Sequence, residues 1–191
     1  MNARAALLLA SSLLSSSDEE VVQRVHARIV AENVLVQACT DVQARDPEPG
    51  LASIHFSYEI HGARVGTTAR YAGRVTFALG EVTLRVPKSI VWKGMTSADR
   101  ERADAFVRAI YHHEVGHVRI GESLRDALNA NGTIDAADYF AFGAQADALG
   151  REGFERFKHE EAAYDELTDH GRKQHLASGE LAGPDTVLDC R

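Results

Sequence analysis

The sequence predicts an α+β domain in which a small sheet is followed by two long helices. Polar and apolar residues alternate through the middle of the chain, which is the period of a half-buried strand. Apolar residues then recur at three- and four-residue steps through most of the remainder, which is the period of a helix. Strands followed by helices are typical of α+β folds. The length fits a single domain over 18–191, preceded by a distinct segment at 1–17.

The predicted sheet lies in the middle third of the chain. His55–Ile60 alternates polar and apolar side chains, and Arg74–Leu79 and Val82–Val86 share this period of two. The Gly80-Glu81 pair between the last two segments predicts a hairpin. A loop is expected at 46–50, where two prolines disfavour regular structure. We therefore expect a small antiparallel or mixed sheet.

Two helices are predicted after the sheet. The first runs from about Ala98 to about Leu128, with Thr96 or Ser97 able to cap its N-terminus. The second runs from about 136 to about 168, and two glycines inside it predict interruptions. These helices should pack on the sheet to form the core.

Composition excludes several classes of protein. Hydrophobic residues make up 45% and charged residues 26% of the chain, which is typical of a globular protein rather than a disordered one. The net charge of -7 comes from interspersed acidic and basic residues, with no basic stripe of the kind that binds phosphates. We therefore expect no nucleic-acid partner.

The first residues resemble an export signal. Arg4 precedes a short apolar run from Ala5 to Leu14, and serines follow it. The run is too short to span a bilayer, which takes about 20 apolar residues. A secreted or periplasmic protein is the expectation, and an ordinary N-terminal helix in a cytoplasmic protein is the alternative. In an exported protein Cys39 and Cys190 could form one disulfide, a hypothesis motivated by their even number.

Three polar side chains interrupt the apolar stripe of the first helix. The gap in the stripe contains His113, Glu114 and His117. Burying these side chains unpaired would cost several kcal/mol, on the order of their desolvation penalty. A bound cation would remove that cost. The apolar members of the stripe are Ala103, Phe106, Val107, Ile110, Ile120, Leu124 and Leu128.

The interruption has the HExxH spacing of zinc metallopeptidases. His113 and His117 project from one helix face, one turn apart, and can bind one Zn²⁺. Glu114 is placed to act as the general base on a zinc-bound water. Gly116 leaves room for close packing beside the metal. The expected function is zinc-dependent hydrolysis, most simply of a peptide or protein substrate.

A catalytic zinc usually has three protein ligands, so a third must come from elsewhere in the chain. Helical periodicity favours Glu161 at the metal, with Asp165 four residues later holding a ligand histidine by its N–H. Asp165 is itself an alternative ligand. Tyr164 could donate to a developing oxyanion, or it could be a core aromatic.

Two blocks of the sequence resemble a bacterial family of secreted zinc-dependent proteases that is catalogued as a domain of unknown function. The block from Val82 to Ile120 contains a strand, Pro, Trp and the HExxH helix, and the block Tyr164–Gly171 reads Tyr-Asp-x-x-Thr-x-His-Gly. The resemblance implies a zincin-like fold, peptidase activity and His170 as the third zinc ligand. By analogy with zincin folds, Val82–Val86 is the candidate edge strand for binding an extended substrate.

Two other functions fit the same residues. A catalytically inactive binding module could keep the zinc for stability alone, with a closed shell of four ligands. A metal-dependent amidase acting on cell-wall peptides would use the same chemistry as a peptidase. The sequence leaves the oligomeric state open.

Overall fold

The computed structural model describes residues 15–45, 50–177 and 179–190. Most of the predicted export signal at 1–17 and nearly all of the loop predicted at 46–50 lie outside these ranges. The fold is α+β, as predicted, with a mixed sheet of four strands. The described elements, in chain order, are α1 (Ser16–Arg24), β1 (Arg28–Val36), α2 (Thr40–Arg45), β2 (Leu51–Arg64), β3 (Tyr71–Trp92), α3 (Ser97–Ala130), β4 (Thr133–Ala136) and α4 (Tyr139–Thr168), followed by two short 3-10 turns.

The sheet has the strand order β1-β3-β2, and β4 pairs with β3. β1 runs parallel to β3, with Arg28 opposite Thr83 and Val36 opposite Trp92. β4, which was not predicted, runs antiparallel to the beginning of β3. Because β3 lies between β1 and β2 in the sheet, the expectation that Val82–Val86 forms an edge strand is wrong.

The hairpin predicted at Gly80-Glu81 is also wrong, because β3 continues through these residues. The chain turns instead between β2 and β3, where the Val65 N–H donates to the carbonyl of Arg70 and Gly66 has a φ of 59°. Gly80 allows a close approach rather than a turn. A Cβ at this position would lie 2.8 Å from the ring of His55.

The first long helix, α3, agrees with its predicted bounds to within two residues. Thr96 caps it, because its hydroxyl accepts a hydrogen bond from the Asp99 N–H at 3.2 Å. The Asp99 carboxylate in turn accepts from the Thr96 N–H at 2.8 Å. This reciprocal pair satisfies N–H groups that a helix start leaves open.

The second long helix, α4, is continuous, so the interruptions predicted at Gly143 and Gly150 are wrong. Gly150 makes room for the ring of Tyr58, because a Cβ there would lie 2.3 Å from that ring. Glycine is tolerated inside a helix when its packing benefit exceeds its conformational cost. Of the described helices, none combines the length and apolar character that crossing a membrane requires.

The chain divides into two compact units. The first contains the described parts of 1–53, 81–118 and 163–191, and the second contains 54–80 and 119–162. In the first unit, a core that includes Trp92, Phe106 and Ile110 also packs against Cys39 and Cys190. The predicted pairing of these cysteines is confirmed, because they form a disulfide.

The second unit has its own core, in which Phe56 stacks on Phe157 with ring centroids 4.6 Å apart. Asn129 joins α3 to the sheet inside this unit. Its side-chain carbonyl accepts from the Phe77 N–H at 2.7 Å, and its amide donates to the Phe77 carbonyl at 2.9 Å. The Asn129 side chain thus makes the two hydrogen bonds to the Phe77 backbone that a neighbouring strand would otherwise make.

Replacing Asn129 with Ala should lower the free energy of unfolding by about 1–3 kcal/mol, because both backbone groups of the buried Phe77 lose their partner. Urea denaturation monitored by circular dichroism would measure this change. Asn131→Ala is the matched control, since Asn131 lies two residues later at an exposed position and its side-chain amide donates locally to the Ala127 carbonyl. Equal stability losses in the two variants would contradict the role of Asn129.

Candidate metal centre

The three polar residues that interrupt the stripe of α3 are all buried. His113, Glu114 and His117 are 6%, 5% and 7% exposed, and their neighbour Val118 is fully buried. The prediction that these polar side chains occupy the inward face of the helix is therefore confirmed. Such side chains need polar partners in the interior.

Asp165, in the last turn of α4, supplies a partner for both imidazoles. Its Oδ1 atom lies 3.2 Å from Nε2 of His113 and 3.1 Å from Nε2 of His117. These three atoms all lie within 4.8 Å of one another. Zinc bonds of about 2.0–2.1 Å place neighbouring ligand atoms about 3.4 Å apart in a tetrahedral shell. The two nitrogen–oxygen distances are close to this spacing.

The electrostatics of the cluster suit metal binding. Burial lowers the pKa of His113, and a hydrogen bond with Asp165 opposes this shift only in part. Burial also opposes ionisation of Asp165, but hydrogen bonds with His113 and His117 outweigh it and hold the pKa of this carboxyl well below its usual range. A neutral imidazole and an ionised carboxylate are the protonation states that metal ligands require.

Tyr164 lies against both histidine rings. Its ring centroid is 5.0 Å from that of His113, in a stacked arrangement, and 5.0 Å from that of His117, edge to face. The Tyr164 hydroxyl lies beside Gly116, where a Cβ would come within 2.2 Å of the oxygen. The close packing expected at Gly116 is therefore present, and it holds the tyrosine where it can fix the orientation of the two imidazoles.

The chain reverses direction directly after α4. Asp169 and His170 have a φ of 51° and Gly171 has a φ of 86°, so three consecutive residues are left-handed. Thr168 is fully buried, and its hydroxyl donates to the Tyr164 carbonyl at 2.7 Å and accepts from the Gly171 N–H at 3.2 Å. The threonine therefore joins the last helical turn to the reversal.

This reversal brings His170 back towards Asp165. The Nδ1 atom of His170 lies 3.9 Å from Oδ1 of Asp165, and its side chain is 47% exposed. His170 does not belong to the cluster of donor atoms within 4.8 Å. Glu161 is part of the second unit, so its role as a ligand stays a prediction from sequence.

Gly50 is a site residue that sequence reasoning missed. A Cβ at this position would lie 2.3 Å from Oε1 of Glu114 and 2.6 Å from Cγ2 of Ile110. The backbone at the start of β2 therefore passes directly over the Glu114 carboxylate. No local pattern reveals such an approach, because it joins residues far apart in the sequence.

His112 lies beside the cluster and makes hydrogen bonds to two other segments of the chain. Its Nδ1 atom is 3.1 Å from the buried carboxylate of Asp18, and its Nε2 atom is 3.0 Å from the carbonyl of Ala182. This histidine therefore links α1 and the C-terminal segment to the helix that carries the cluster.

Replacing Gly116 with Ala should lower the free energy of unfolding by about 1–3 kcal/mol, which is the usual cost of overpacking a close contact. The added methyl would displace the Tyr164 ring from the two histidines. Urea denaturation monitored by circular dichroism would measure this change. Gly143→Ala in α4 is the matched control, because open space surrounds that position. Equal stability changes in the two variants would contradict the close packing of Tyr164 on Gly116.

Comparison with known protein families gives a match. Residues 37–171, well over half of the chain, match the model of the family described as bacterial protein of unknown function (DUF922). Comparison with curated proteins gives no significant match, and comparison with solved structures gives none. The matched range contains the HExxH helix and ends at Gly171, the last residue of the Tyr-Asp-x-x-Thr-x-His-Gly block. The chain belongs to the DUF922 family of bacterial proteins of unknown function.

Proposed function

We propose that this protein is a zinc-dependent hydrolase that cleaves peptide bonds. The observation that carries the proposal is the cluster of His113, His117 and Asp165, whose donor atoms lie within 4.8 Å of one another. Glu114 is buried next to His113 on the same helix. A metal site with an adjacent carboxylate is the arrangement that water-dependent cleavage of an amide requires.

We propose Asp165, rather than His170, as the third ligand. Asp165 already contacts both imidazoles, whereas His170 lies 3.9 Å from Asp165 and is half exposed. A set of two histidines and one carboxylate is common at catalytic zinc and leaves one position open. A closed shell would instead need a fourth protein ligand.

When bound, zinc would act as a Lewis acid that lowers the pKa of a water molecule to about 7. Glu114 is the residue that we propose accepts a proton from water and returns it to the leaving amine. The backbone at Gly50 restricts the positions available to the Glu114 carboxylate. His170 presents a half-exposed ring beside the cluster, and we propose that its N–H stabilises charge on the substrate carbonyl oxygen.

Two alternatives to a peptidase share these residues. A cell-wall amidase would cleave the same type of bond in a different substrate. An inactive zinc-stabilised module is the alternative that the position of His170 favours, because a small movement of its ring would add a fourth ligand and close the shell. With the peptidase function we also propose that the fold is zincin-like.

We also propose that the protein works outside the cytoplasm, in a secreted or periplasmic form. The supporting observation is the disulfide between Cys39 and Cys190, since disulfides persist mainly in oxidising compartments.

Zinc content should separate the ligand sets. The purified protein should contain about one zinc per chain, because three protein ligands are sufficient for a tetrahedral site. Asp165→Ala should lose the metal and His170→Ala should keep it, as measured by inductively coupled plasma mass spectrometry. Glu166→Ala, which alters an exposed carboxylate next to Asp165 on the same helix, is the control. Zinc loss in His170→Ala alone would restore His170 as the third ligand, and a wild type that binds no zinc after reconstitution would end the hydrolase proposal.

Replacing Glu114 with Gln should leave zinc bound but lower turnover by about 10²–10⁴-fold, which is the typical contribution of a general base. The amide keeps the shape of the side chain and loses its ability to accept the proton. Cleavage of denatured casein and of a fluorogenic peptide library would measure turnover, and Glu101→Gln at an exposed position of the same helix is the control. Unchanged turnover in Glu114→Gln would rule out this mechanism.

A further inference from the structure

After the left-handed reversal and two short 3-10 turns, the chain continues without regular secondary structure to Cys190. We name residues 183–190 the C-terminal strap. Leu188, near its end, is 3% exposed and belongs to the core of the first unit, and Cys190 is bonded to Cys39. The far end of the strap is therefore anchored twice, once by apolar burial and once covalently.

The middle of the strap binds the reversal that carries His170. The Thr186 N–H donates to the Gly171 carbonyl at 2.9 Å, and the Thr186 hydroxyl donates to the His170 carbonyl at 3.3 Å. The Thr186 side chain also fills the space beside Gly171, where a Cβ would lie 2.8 Å from its Cγ2 atom. One residue of the strap thus contacts the backbone of two residues of the reversal.

The beginning of the strap is tied to the HExxH helix. Gln174 is fully buried, and its amide donates to the Pro184 carbonyl at 2.7 Å and to the Ala109 carbonyl at 3.1 Å. Ala109 lies one helical turn before His113 in α3. The strap is therefore positioned relative to the same helix that carries the cluster.

The reversal needs such external contacts. Asp169 and His170 are not glycines, yet both have a φ of 51°, a conformation that side chains with a Cβ adopt at a cost in free energy. Residues in such conformations persist only where the surrounding structure holds them. At the end of α4, the Thr168 hydroxyl accepts a hydrogen bond from the Gly171 N–H. From the strap, the Thr186 N–H donates to the Gly171 carbonyl.

We propose that the C-terminal strap keeps His170 beside Asp165, with Thr186 as the positioning residue and the Cys39–Cys190 disulfide as its anchor. The proposal rests on the proposed function in so far as it gives His170 a role in turnover. Without the Thr186 hydrogen bonds, the reversal should change its backbone conformation and His170 should move away from Asp165. His113, His117 and Asp165 should keep their positions, because they lie on helices. Turnover should therefore fall without loss of zinc.

The test compares Thr186→Pro, which removes the N–H donor, and the milder Thr186→Val, which removes only the hydroxyl donor. Asp185→Asn is the matched control, because Asp185 belongs to the same strap but its carboxylate pairs with His175 instead of the reversal. Each variant is made in the full-length protein, loaded with zinc and checked for folding by circular dichroism. Zinc content, kcat on denatured casein and the nuclear magnetic resonance signal of the His170 ring are measured.

We expect Thr186→Pro to lower kcat at least tenfold, close to the effect of His170→Ala, with zinc content unchanged. Because both changes act through the same imidazole, Thr186→Pro should cause no further loss in a His170→Ala background. The His170 ring signal should shift in Thr186→Pro, less so in Thr186→Val, and stay in place in Asp185→Asn. Reduction of the disulfide should shift the same signal.

Two results would overturn the proposal. One is a His170 signal that does not move in either Thr186 variant, and the other is a kcat loss that adds fully to that of His170→Ala. The failure of the proposed function looks different. If the wild type cleaves no substrate, or if His170→Ala has normal turnover, His170 has no role in turnover. The magnetic resonance signal of the His170 ring then decides by itself whether the strap positions this histidine.

Discussion

The contact between the Asp165 carboxylate and the two imidazoles of α3 is the interaction on which the site depends. Burying a charged carboxylate or an imidazole is costly unless each finds a polar partner. Here one oxygen of Asp165 lies 3.2 Å from His113 and 3.1 Å from His117, so the end of α4 is joined to the middle of α3. Gly116 also contributes to this contact, because its missing side chain leaves room for Tyr164 to pack beside both imidazole rings.

This contact explains the spacing of the Tyr-Asp-x-x-Thr-x-His-Gly block. Tyr164 and Asp165 face α3 near the end of α4, and Thr168 is the last residue of this helix, where its hydroxyl donates to the carbonyl of Tyr164. His170 and Gly171 then reverse the chain. The block therefore encodes a helix end together with the turn that follows it, and the family match ends where this turn does.

The parts of the fold that follow from local periodicity could be predicted from the sequence. The bounds of α3 and the inward position of His113, Glu114 and His117 are of this kind. The hairpin was misplaced because glycine marks both tight turns and close contacts, and only the distant His55 shows that Gly80 belongs to the second class. A contact between Asp165 and a ligand histidine was also expected from helical spacing. That one oxygen of Asp165 reaches both imidazoles depends on how α4 packs on α3, which local sequence does not specify.

The disulfide between Cys39 and Cys190 has a topological consequence for the whole molecule. Its two cysteines are 151 positions apart, so most of the polypeptide forms one covalent ring. A single cleavage of the backbone anywhere within that ring opens it but leaves both pieces attached to each other. A peptidase can thus cut the chain once within the ring without releasing a fragment.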